Sequence, residues 1–287
     1  MLVVRDVASL RSAVAAARSS GARVGFVATM GALHAGHLSL IDRACAACDC
    51  VVLSIFVNPL QFAPTDDLAK YPRTEAADLA GAESRGATIA FVPGVSTMYP
   101  APRVVSVVPE SIADLWEGAI RPAHFAGVLT VVTKLFNLVQ PDVAVFGQKD
   151  LQQATLLRAL ARDLNFPIIL DIAPIVREPD GLAMSSRNRY LDAGPRQAAR
   201  ALSRALAAIS AQFLSGNHDA GMLIDLGNAQ LRVESDVRTD YLSIVDPERL
   251  EPVVSTSPGD YVILAARVGA TRLLDNHRLG EPFPVLP

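Results

Sequence analysis

Two histidines, His34 and His37, lie three residues apart directly after a short apolar run that ends at Thr29. Residues three apart share one face of a helix, a glycine-permitted turn leads into the helix start, and Gly36 between the histidines lets a bulky planar ligand approach the backbone. Such a turn leaves backbone N–H groups free beside the positive end of the helix dipole, so we expect a seat for phosphate. The alternative is that both imidazoles only cap the helix and hydrogen-bond locally.

Two neutral amides, Asn58 and Gln61, follow a second apolar run, which Pro59 terminates. Polar residues at the carboxyl end of a strand lie at the edge where open α/β sheets bind ligands. An amide donates to a carboxylate and also accepts from hydroxyl groups, which suits a small polyhydroxy acid. The competing interpretation is that both amides only hydrogen-bond loop backbone.

A third apolar run leads into Gly147, Lys149 and Asp150, and Gln153 lies about one helical turn after Asp150. A glycine permits close approach of a ligand to the backbone. The ammonium of Lys149 is a point charge for phosphate, and the carboxylate of Asp150 suits ribose hydroxyls.

Two hydroxyls and a guanidinium are adjacent in Ser185, Ser186 and Arg187, after a loop that contains Pro179 and Gly181. This set can clamp phosphate, although an ordinary surface turn is an equal alternative. Because the loop has little apolar surface to hold it closed, we expect it to be mobile without nucleotide and ordered with it.

The elements that could position these groups alternate along the first 175 residues. β-Branched apolar runs predict buried strands, and Ala/Leu-rich runs between them predict helices. This alternation predicts a doubly wound α/β fold, a Rossmann-like parallel sheet with helices on both faces. The predicted strands are 23–28, 51–57, 88–92, 143–146 and 167–172, and the predicted helices are 7–19 with Asp6 as its cap, 38–47, 74–84, 128–139 and 151–164.

The pattern changes near residue 175, where helices give way to a cluster of short strands. This change predicts two domains, a Rossmann-like domain over 1–175 and a smaller α+β lid domain over 176–287. We expect the segment 176–189 to cross between them, where small-molecule sites often form. The predicted helices are 195–213 and 220–231, and the predicted strands are 239–245, 260–266 and 271–275.

The composition is that of a folded globular protein, with 51% hydrophobic and 19% charged residues among 287. A net charge of −3 provides no general electrostatic footprint for nucleic acid, so we expect no nucleic-acid partner. The apolar runs are far shorter than the roughly 20 residues of a membrane span, so we expect no membrane partner. The N-terminal residues lack a secretory signal pattern, and cytoplasmic residence is the expectation.

The cysteines are clustered at Cys45, Cys48 and Cys50. An odd, clustered set is a poor disulfide framework, and no second pair or suitably spaced histidine indicates a zinc site. Reduced cysteines at a helix end are the favoured interpretation over a redox pair or half of a metal site.

Taken together, these segments resemble the signature of the pantothenate synthetase family, within the nucleotidyltransferase superfamily. The resemblance extends from about residue 1 to Asn276. The segments that carry it are Thr29-Met30-Gly31-Ala32-Leu33-His34 to His37, Phe56-Val57-Asn58-Pro59-Leu60-Gln61-Phe62, Arg121-Pro122-Ala123-His124-Phe125, Val139-Gln140-Pro141-Asp142, Phe146-Gly147-Gln148-Lys149-Asp150 and Asp180-Gly181-Leu182-Ala183-Met184-Ser185-Ser186-Arg187-Asn188.

The resemblance implies a cytoplasmic, homodimeric ligase of coenzyme A biosynthesis that condenses (R)-pantoate with β-alanine, using ATP and passing through pantoyl adenylate. It implies that His37, His34 and Lys149 are catalytic, that Gln61, Gln153 and Asn58 bind pantoate, and that Gln61 also lies near β-alanine. Mg²⁺ is expected with the ATP phosphates, and its protein ligands, if any, are unknown. The implied ATP-binding residues are Met30, Gly31, Ala32, Leu33, His34, Ala35, Gly36, His37, Gly147, Gln148, Lys149, Asp150, Val176, Met184, Ser185, Ser186 and Arg187.

Four residues depart from the usual family pattern. Ala28 replaces a common proline, Ala35 a glutamate, Ala123 a glycine and Gln148 a glutamate. None of these departures removes an implied catalytic group.

Two other functions stay open at this point. One is another adenylyl or cytidylyl transferase of the same superfamily, since the two-histidine turn is widely shared. The other is a nucleotide-binding regulatory module without turnover.

Overall fold

The computed structural model describes residues 1–63 and 68–284, and the chain divides into two compact units. The first comprises Met1–Gly147 and Gln152–Pro174, and the second comprises Gln148–Leu151 and Ile175–Pro287. The last three residues of the second unit lie outside the described part. The sequence-based division assigned the segment 148–151 to the first domain, whereas this segment groups with the second unit.

The first unit is built on a parallel sheet, as predicted. Among the described residues this sheet has six strands in the order β1-β4-β3-β2-β5-β6, and every neighbouring pair is parallel. The strands are β1 (Leu2–Val4), β2 (Val24–Thr29), β3 (Cys50–Ile55), β4 (Ile89–Phe91), β5 (Val143–Gly147) and β6 (Ile169–Ala173), and the helices are α1 (Val7–Ser19), α2 (Ala35–Ala47), α3 (Glu75–Ser84), α4 (Val95–Met98), α5 (Trp116–Ile120), α6 (His124–Val139) and α7 (Leu151–Asp163), whose first residue belongs to the second unit.

The central strands are apolar throughout because both faces of the sheet are covered. Every residue of β3 is buried, and one core cluster contains Phe26, Val52 and Phe136, while a second contains Val27 and Leu53. Continuous apolar runs are typical of such strands, which explains why they were predicted within one or two residues at most ends. The edge strand β1 was missed because it has three residues, two of them exposed.

Strand order reverses beside β2, where the chain proceeds outward through β3 and β4 on one side and through β5 and β6 on the other. Ligands of open α/β sheets bind outside the carboxyl ends of the strands at such a switch point. In this sheet those ends are Thr29 on β2 and Gly147 on β5.

The second unit has the predicted helices followed by strands. Its helices α8 (Ala193–Leu214) and α9 (Ala220–Arg232) pack on an antiparallel sheet of β7 (Val237–Val245), β8 (Tyr261–Val268) and β9 (Thr271–Arg278). Leu202, Leu206 and Ile209 of α8 share a core with Val262 and Leu264 of β8. Within the described residues, no helix combines the length and the apolarity that crossing a membrane requires.

Helix α6 begins at His124, four residues before the predicted start. Ala123 precedes it with a φ of +66°, in the left-handed region that glycine adopts without cost. Ala123 is also one of the four departures from the family pattern. The structure therefore explains why glycine is usual there, and an alanine Cβ is strained at this position.

We predict that Ala123→Gly increases the free energy of unfolding by about 0.5 to 1 kcal/mol, because relief of the left-handed strain exceeds the added entropy of the unfolded chain. Urea unfolding followed by circular dichroism measures the change. The matched control is Ala16→Gly on the exposed face of α1, which should lose about 1 kcal/mol. Equal losses in both variants would contradict the prediction.

Candidate active site

The turn after β2 is shaped by Thr29 and Gly31. Thr29 Oγ1 donates to the carbonyl of Ser54 at 2.8 Å and accepts from the N–H of Gly31 at 3.2 Å. Gly31 has a φ of +83°, and a Cβ on it would lie 3.0 Å from Oδ2 of Asp78. Glycine is therefore required at position 31, because its φ is positive and because there is no room for a Cβ. Met30, which is half-buried, lies within the same turn.

Asp78 on α3 organises the same turn, and sequence analysis missed it. The residue is 3% exposed, and its carboxylate accepts from the N–H groups of Ala32 at 2.9 Å and Leu33 at 2.8 Å, and from the Thr74 hydroxyl at 3.1 Å. An acidic residue in the first turn of a helix is ordinary. The signal that could have revealed it is its helical spacing from Ala82, which places a carboxylate on the buried face.

The expectation of free backbone N–H groups is wrong for residues 31–34. Their N–H groups donate to Thr29 Oγ1, to both oxygens of Asp78 and to Nδ1 of His37. The physical reason is that unpaired buried N–H groups are costly, so the protein pairs them itself. The N–H groups of residues 31–34 are therefore already paired within the protein, and the buried carboxylate adds negative charge beside them.

His34 is the N-cap of α2, and His37 lies in its first turn. The two rings stack with centroids 4.0 Å apart, and His37 Nδ1 accepts from the main-chain N–H of His34 at 3.4 Å. An accepting Nδ1 places the proton of a neutral imidazole on Nε2. His37 thus makes a local hydrogen bond through Nδ1, which does not exclude chemistry at Nε2, a different nitrogen. Ala35 is exposed and Gly36 is half-buried at the helix start.

Asn58 and Gln61 lie together in the turn after β3. Asn58 is 1% exposed, and its Nδ2 donates to Gln61 Oε1 at 3.0 Å and to the Gly127 carbonyl at 3.1 Å. Asn58 therefore hydrogen-bonds to the backbone of α6 and to the side chain of Gln61, and its part in a pantoate subsite stays a prediction. Half-buried Gln61 also has its Nε2 3.2 Å from Sδ of Met30, which joins this turn to the turn after β2.

The carbonyl of Gln61 is held by Arg121 and His124. Nδ1 of His124 is 2.8 Å from this oxygen, and the guanidinium of Arg121 donates to it at 3.2 Å. A carbonyl only accepts, so Nδ1 of His124 carries a proton. The Arg121 to Phe125 segment is one of those on which the family resemblance is based, but the resemblance implied no role for it. The structure shows that it positions Gln61.

Gly147 and Gln153 complete the predicted residues of the first unit. Gly147 pairs with Ala173 at the end of β5, and a Cβ on it would meet no described atom within 4 Å, so there is room for a ligand to approach. Gln153 is half-buried on α7, a different element from the one that holds Gln61.

Within the second unit, Asn276 on β9 holds the segment 148–150. Its Nδ2 donates to the carbonyls of Gln148 and Lys149 at 3.0 Å each, and its Oδ1 accepts from Gln148 Nε2 at 3.1 Å. A glutamate carboxylate at position 148 would have no proton to donate to that oxygen. Lys149 is half-buried and Asp150 is exposed.

The second unit also brings Val176 and Met184 together. The N–H of Met184 donates to the Val176 carbonyl at 2.9 Å, and Arg177 and Ala183 form an antiparallel bridge inside that pair. Ser185 then caps a short 3₁₀ helix, because its Oγ accepts from the N–H of Arg187 at 3.2 Å. Ser186 begins this helix, and the three predicted clamp residues 185–187 are half-buried.

Arg196 at the start of α8 anchors this segment through Glu178 and Asp180, at 2.7 Å to each. Burial alone would raise the pKa of the Asp180 carboxyl, but the hydrogen bonds from Arg196 and from the Leu182 N–H outweigh it and lower the pKa. Asn188 Nδ2 donates to the carbonyl of Ala183 at 3.0 Å.

The expectation that the loop has little apolar anchoring is wrong. Leu182 is 2% exposed and belongs to the core of the second unit. Its burial and the two ion pairs anchor the loop to the rest of the second unit. Ordering of this loop by nucleotide stays a prediction.

The three cysteines are free thiols in the structure. Burial raises the pKa of the Cys45 and Cys48 thiols, so both stay protonated near neutral pH, and Cys50 is buried in β3. The described residues contain no group of three or more His, Cys, Asp or Glu side chains that could hold a metal ion.

The chain is similar to known proteins over nearly its whole length. The family model described as pantoate-beta-alanine ligase matches residues 2–278. Pantothenate synthetase from Acidobacterium capsulatum is 52% identical over 90% of this chain and 86% of its own length. The crystal structure of pantothenate synthetase from Thermus thermophilus superimposes with a TM-score of 0.92 at 45% identity, covering 97% of this chain and 99% of that one.

A second similar structure contains ligands. It is the pantoate-beta-alanine ligase from Francisella tularensis complexed with beta-gamma ATP and β-alanine, with a TM-score of 0.77, 30% identity and 97% coverage of both chains. The family model, the relatives and the shared fold agree, and the sequence motifs already indicated the same assignment. The chain therefore belongs to the pantoate–β-alanine ligase family.

Proposed function

We propose that this chain is an ATP-dependent ligase that condenses (R)-pantoate with β-alanine to give pantothenate, AMP and pyrophosphate. Family membership over residues 2–278 carries this proposal. The Francisella tularensis ligase with its nucleotide and β-alanine supports the same substrates here. Coenzyme A biosynthesis in the cytoplasm is the setting that we propose for it.

The reaction proceeds in two balanced steps. In the first, a carboxylate oxygen of pantoate forms a bond to the α-phosphorus of ATP, the bond to the bridging oxygen breaks, and pyrophosphate leaves. In the second, the amine of β-alanine forms a C–N bond to the acyl carbon, the bond to AMP breaks, and the amine proton is released. The enzyme aligns the anions and offsets charge that grows on the phosphates.

His37 is the proposed donor to the reacting phosphate in the first step. Its Nδ1 is engaged by the backbone of His34, so a neutral ring offers Nε2–H as a positioned donor. His34 stacks on it and holds its orientation. Lys149 is the proposed cation for ATP phosphate. We further propose that the remaining residues implied by the resemblance complete the ATP site, from Met30 to Gly36, at Gly147, Gln148 and Asp150, and at Val176 and Met184 to Arg187.

The amides serve the other substrates in this proposal. Gln61 and Gln153 bind pantoate, Gln61 also lies near β-alanine, and Asn58 supports the pantoate subsite. Neutral amides suit this task because they pair with hydroxyls and a carboxylate without neutralising phosphate.

Mg²⁺ is proposed to enter with ATP. The described residues provide no cluster of metal ligands, which fits an ion held mainly by phosphate oxygens and water. Asp150 is an exposed carboxylate in the proposed ATP site, so it is the residue that would add a protein ligand. When bound, the ion would offset phosphate charge.

A coupled assay tests the function directly. We expect AMP to form only when ATP, pantoate and β-alanine are all present, and pyrophosphate to require pantoate. A nucleotidyltransferase of another specificity would release pyrophosphate with a different acceptor, and a regulatory module would release none. Either result would overturn the proposal.

We predict that His37→Ala slows pantoyl adenylate formation by about 10²- to 10³-fold, as when one preorganised donor is lost. The attack of β-alanine on supplied pantoyl adenylate should slow much less. Single-turnover measurements separate the two steps. His37→Gln is the matched variant, because its amide nitrogen can replace Nε2 as donor, and it should retain more adenylation than His37→Ala. Normal adenylation with a slow second step would assign His37 to amide formation instead.

We also propose a homodimer that forms through the segment 103–110, which forms neither helix nor strand. Val104, Val105 and Val108 are 86%, 75% and 70% exposed, whereas Val107 is tied to α6 by a 3.0 Å bond from its N–H to Thr130 Oγ1. Several exposed valines close together in the chain favour apolar contact with a second copy.

We predict twice the chain mass in sedimentation at micromolar concentration, and a shift towards the single-chain mass in Val105→Asp, because the new charge would be buried at the interface. The control is Val254→Asp, a valine that is 91% exposed in the second unit, which should leave the mass unchanged. A single-chain mass for the unsubstituted protein would rule out the dimer.

A further inference from the structure

Three side chains of the first unit form a hydrogen-bonded series that ends at Gln61. The hydroxyl of Tyr99 lies 2.8 Å from Asn58 Oδ1, and Asn58 Nδ2 lies 3.0 Å from Gln61 Oε1. Tyr99 follows α4 and was not among the residues that the sequence analysis selected. Gln61 is the proposed pantoate ligand, so Tyr99 is connected to the subsite through Asn58.

Backbone groups determine which way the Asn58 amide points. The N–H of Leu60 donates to Oδ1 at 3.2 Å, and the carbonyl of Gly127 accepts from Nδ2 at 3.1 Å. A backbone N–H only donates and a carbonyl only accepts, so a reversed amide would lose both bonds. Nδ2 therefore directs its second proton at Gln61, which must present its oxygen to Asn58 and its nitrogen to the other side.

The hydroxyl of Tyr99 completes this arrangement. Oδ1 of Asn58 only accepts, so the Tyr99 hydroxyl donates to it. Burial raises the pKa of Tyr99, so the hydroxyl keeps its proton throughout the physiological range. The Tyr99 ring packs beside Phe56 with centroids 6.0 Å apart, which places the hydroxyl rigidly.

The main chain of Gln61 is immobilised as well. Its carbonyl is held by Arg121 and His124, and a Cβ on Gly127 would lie 2.2 Å from the Leu60 carbonyl oxygen and 2.7 Å from the Gln61 nitrogen. Helix α6 thus approaches this turn as closely as glycine permits. With the backbone held, the remaining freedom of Gln61 lies in its side chain, whose amide orientation Asn58 determines.

The outward nitrogen of Gln61 is lightly engaged. Its Nε2 lies 3.2 Å from Sδ of Met30, and a thioether is a weak acceptor. An oxygen acceptor of a substrate, above all a carboxylate, replaces sulfur with a net gain in hydrogen-bond strength.

We propose that Tyr99 is a positioning residue of the pantoate subsite, which acts through Asn58 to present Gln61 Nε2 as a donor to an acceptor oxygen of the substrate. The inference rests on the proposed function, because it takes pantoate as the ligand of Gln61. Tyr99 does not itself contact the reacting atoms.

Tyr99→Phe tests the proposal by removing only the hydroxyl. We expect KM for pantoate to rise about 3- to 10-fold, the range for loss of one neutral hydrogen bond, with KM for ATP and kcat nearly unchanged. The matched control is Tyr241→Phe on β7 of the second unit, which should leave all three constants unchanged.

A double-mutant cycle separates positioning from a purely structural role. If Tyr99 acts through Gln61, Tyr99→Phe adds little to KM for pantoate when Gln61→Ala is already present. If the hydroxyl only stabilises the fold, the two effects multiply, and KM for ATP changes too. Multiplying effects, or an unchanged KM for pantoate in Tyr99→Phe, would overturn the inference.

Asn58→Asp provides a second test, because it changes the order of donors and acceptors along the hydrogen-bonded series. It keeps the acceptor for Leu60 and Tyr99 but removes the donor to Gln61 and to the Gly127 carbonyl, so Gln61 would turn its nitrogen inward and its oxygen outward. We expect a larger rise in KM for pantoate than in Tyr99→Phe, and an equal or smaller rise would count against the inference. Absence of pantoate-dependent pyrophosphate release in the unsubstituted enzyme would instead refute the proposed function.

Discussion

The buried carboxylate of Asp78 is the interaction on which the two-histidine turn depends. It receives two consecutive backbone N–H groups and a hydroxyl, and thereby ties α3 to the turn between β2 and α2. Gly31 fits beneath it because a larger residue would meet its oxygen at 3.0 Å. Without that carboxylate, two buried N–H groups would lose their partners, and the start of α2 would no longer hold His34 and His37 in place.

The same principle recurs at the other turns. Asn58 and Gly127 hold the turn that carries Gln61, and within the second unit Asn276 holds the backbone of Gln148 and Lys149. In each case a buried polar side chain hydrogen-bonds to the backbone of a turn. The same turn carries a more exposed side chain. The side chains that we propose to contact substrate are therefore held in place by buried side chains that do not contact it. Such support gives a site a well-defined geometry.

Two departures from the family pattern find a physical account. Ala123 occupies a left-handed position at which glycine is favoured, so this chain carries local strain at the start of α6. Gln148 replaces a glutamate and donates to Asn276 Oδ1, an exchange that keeps the local pairing neutral. Nothing in the structure explains the alanine at position 28. Ala35 is exposed at the first residue of α2 and has no structural consequence that we can identify.

Sequence alone determined the fold class, most element positions and the identity of the family, because buried parallel strands are continuously apolar and because the motif residues are local in the chain. It also placed His37, Gln61, Lys149 and the 185–187 segment at element ends. What it could not decide was which polar atoms pair with which. Asp78, Tyr99 and Asn276 lie 41 to 128 residues from the turn residues that they contact, and hydrogen bonds of that separation exist only after the chain has folded. The sequence showed donors at the turn after β2, whereas only the tertiary structure showed that the backbone N–H groups of residues 31–34 are already paired within the protein.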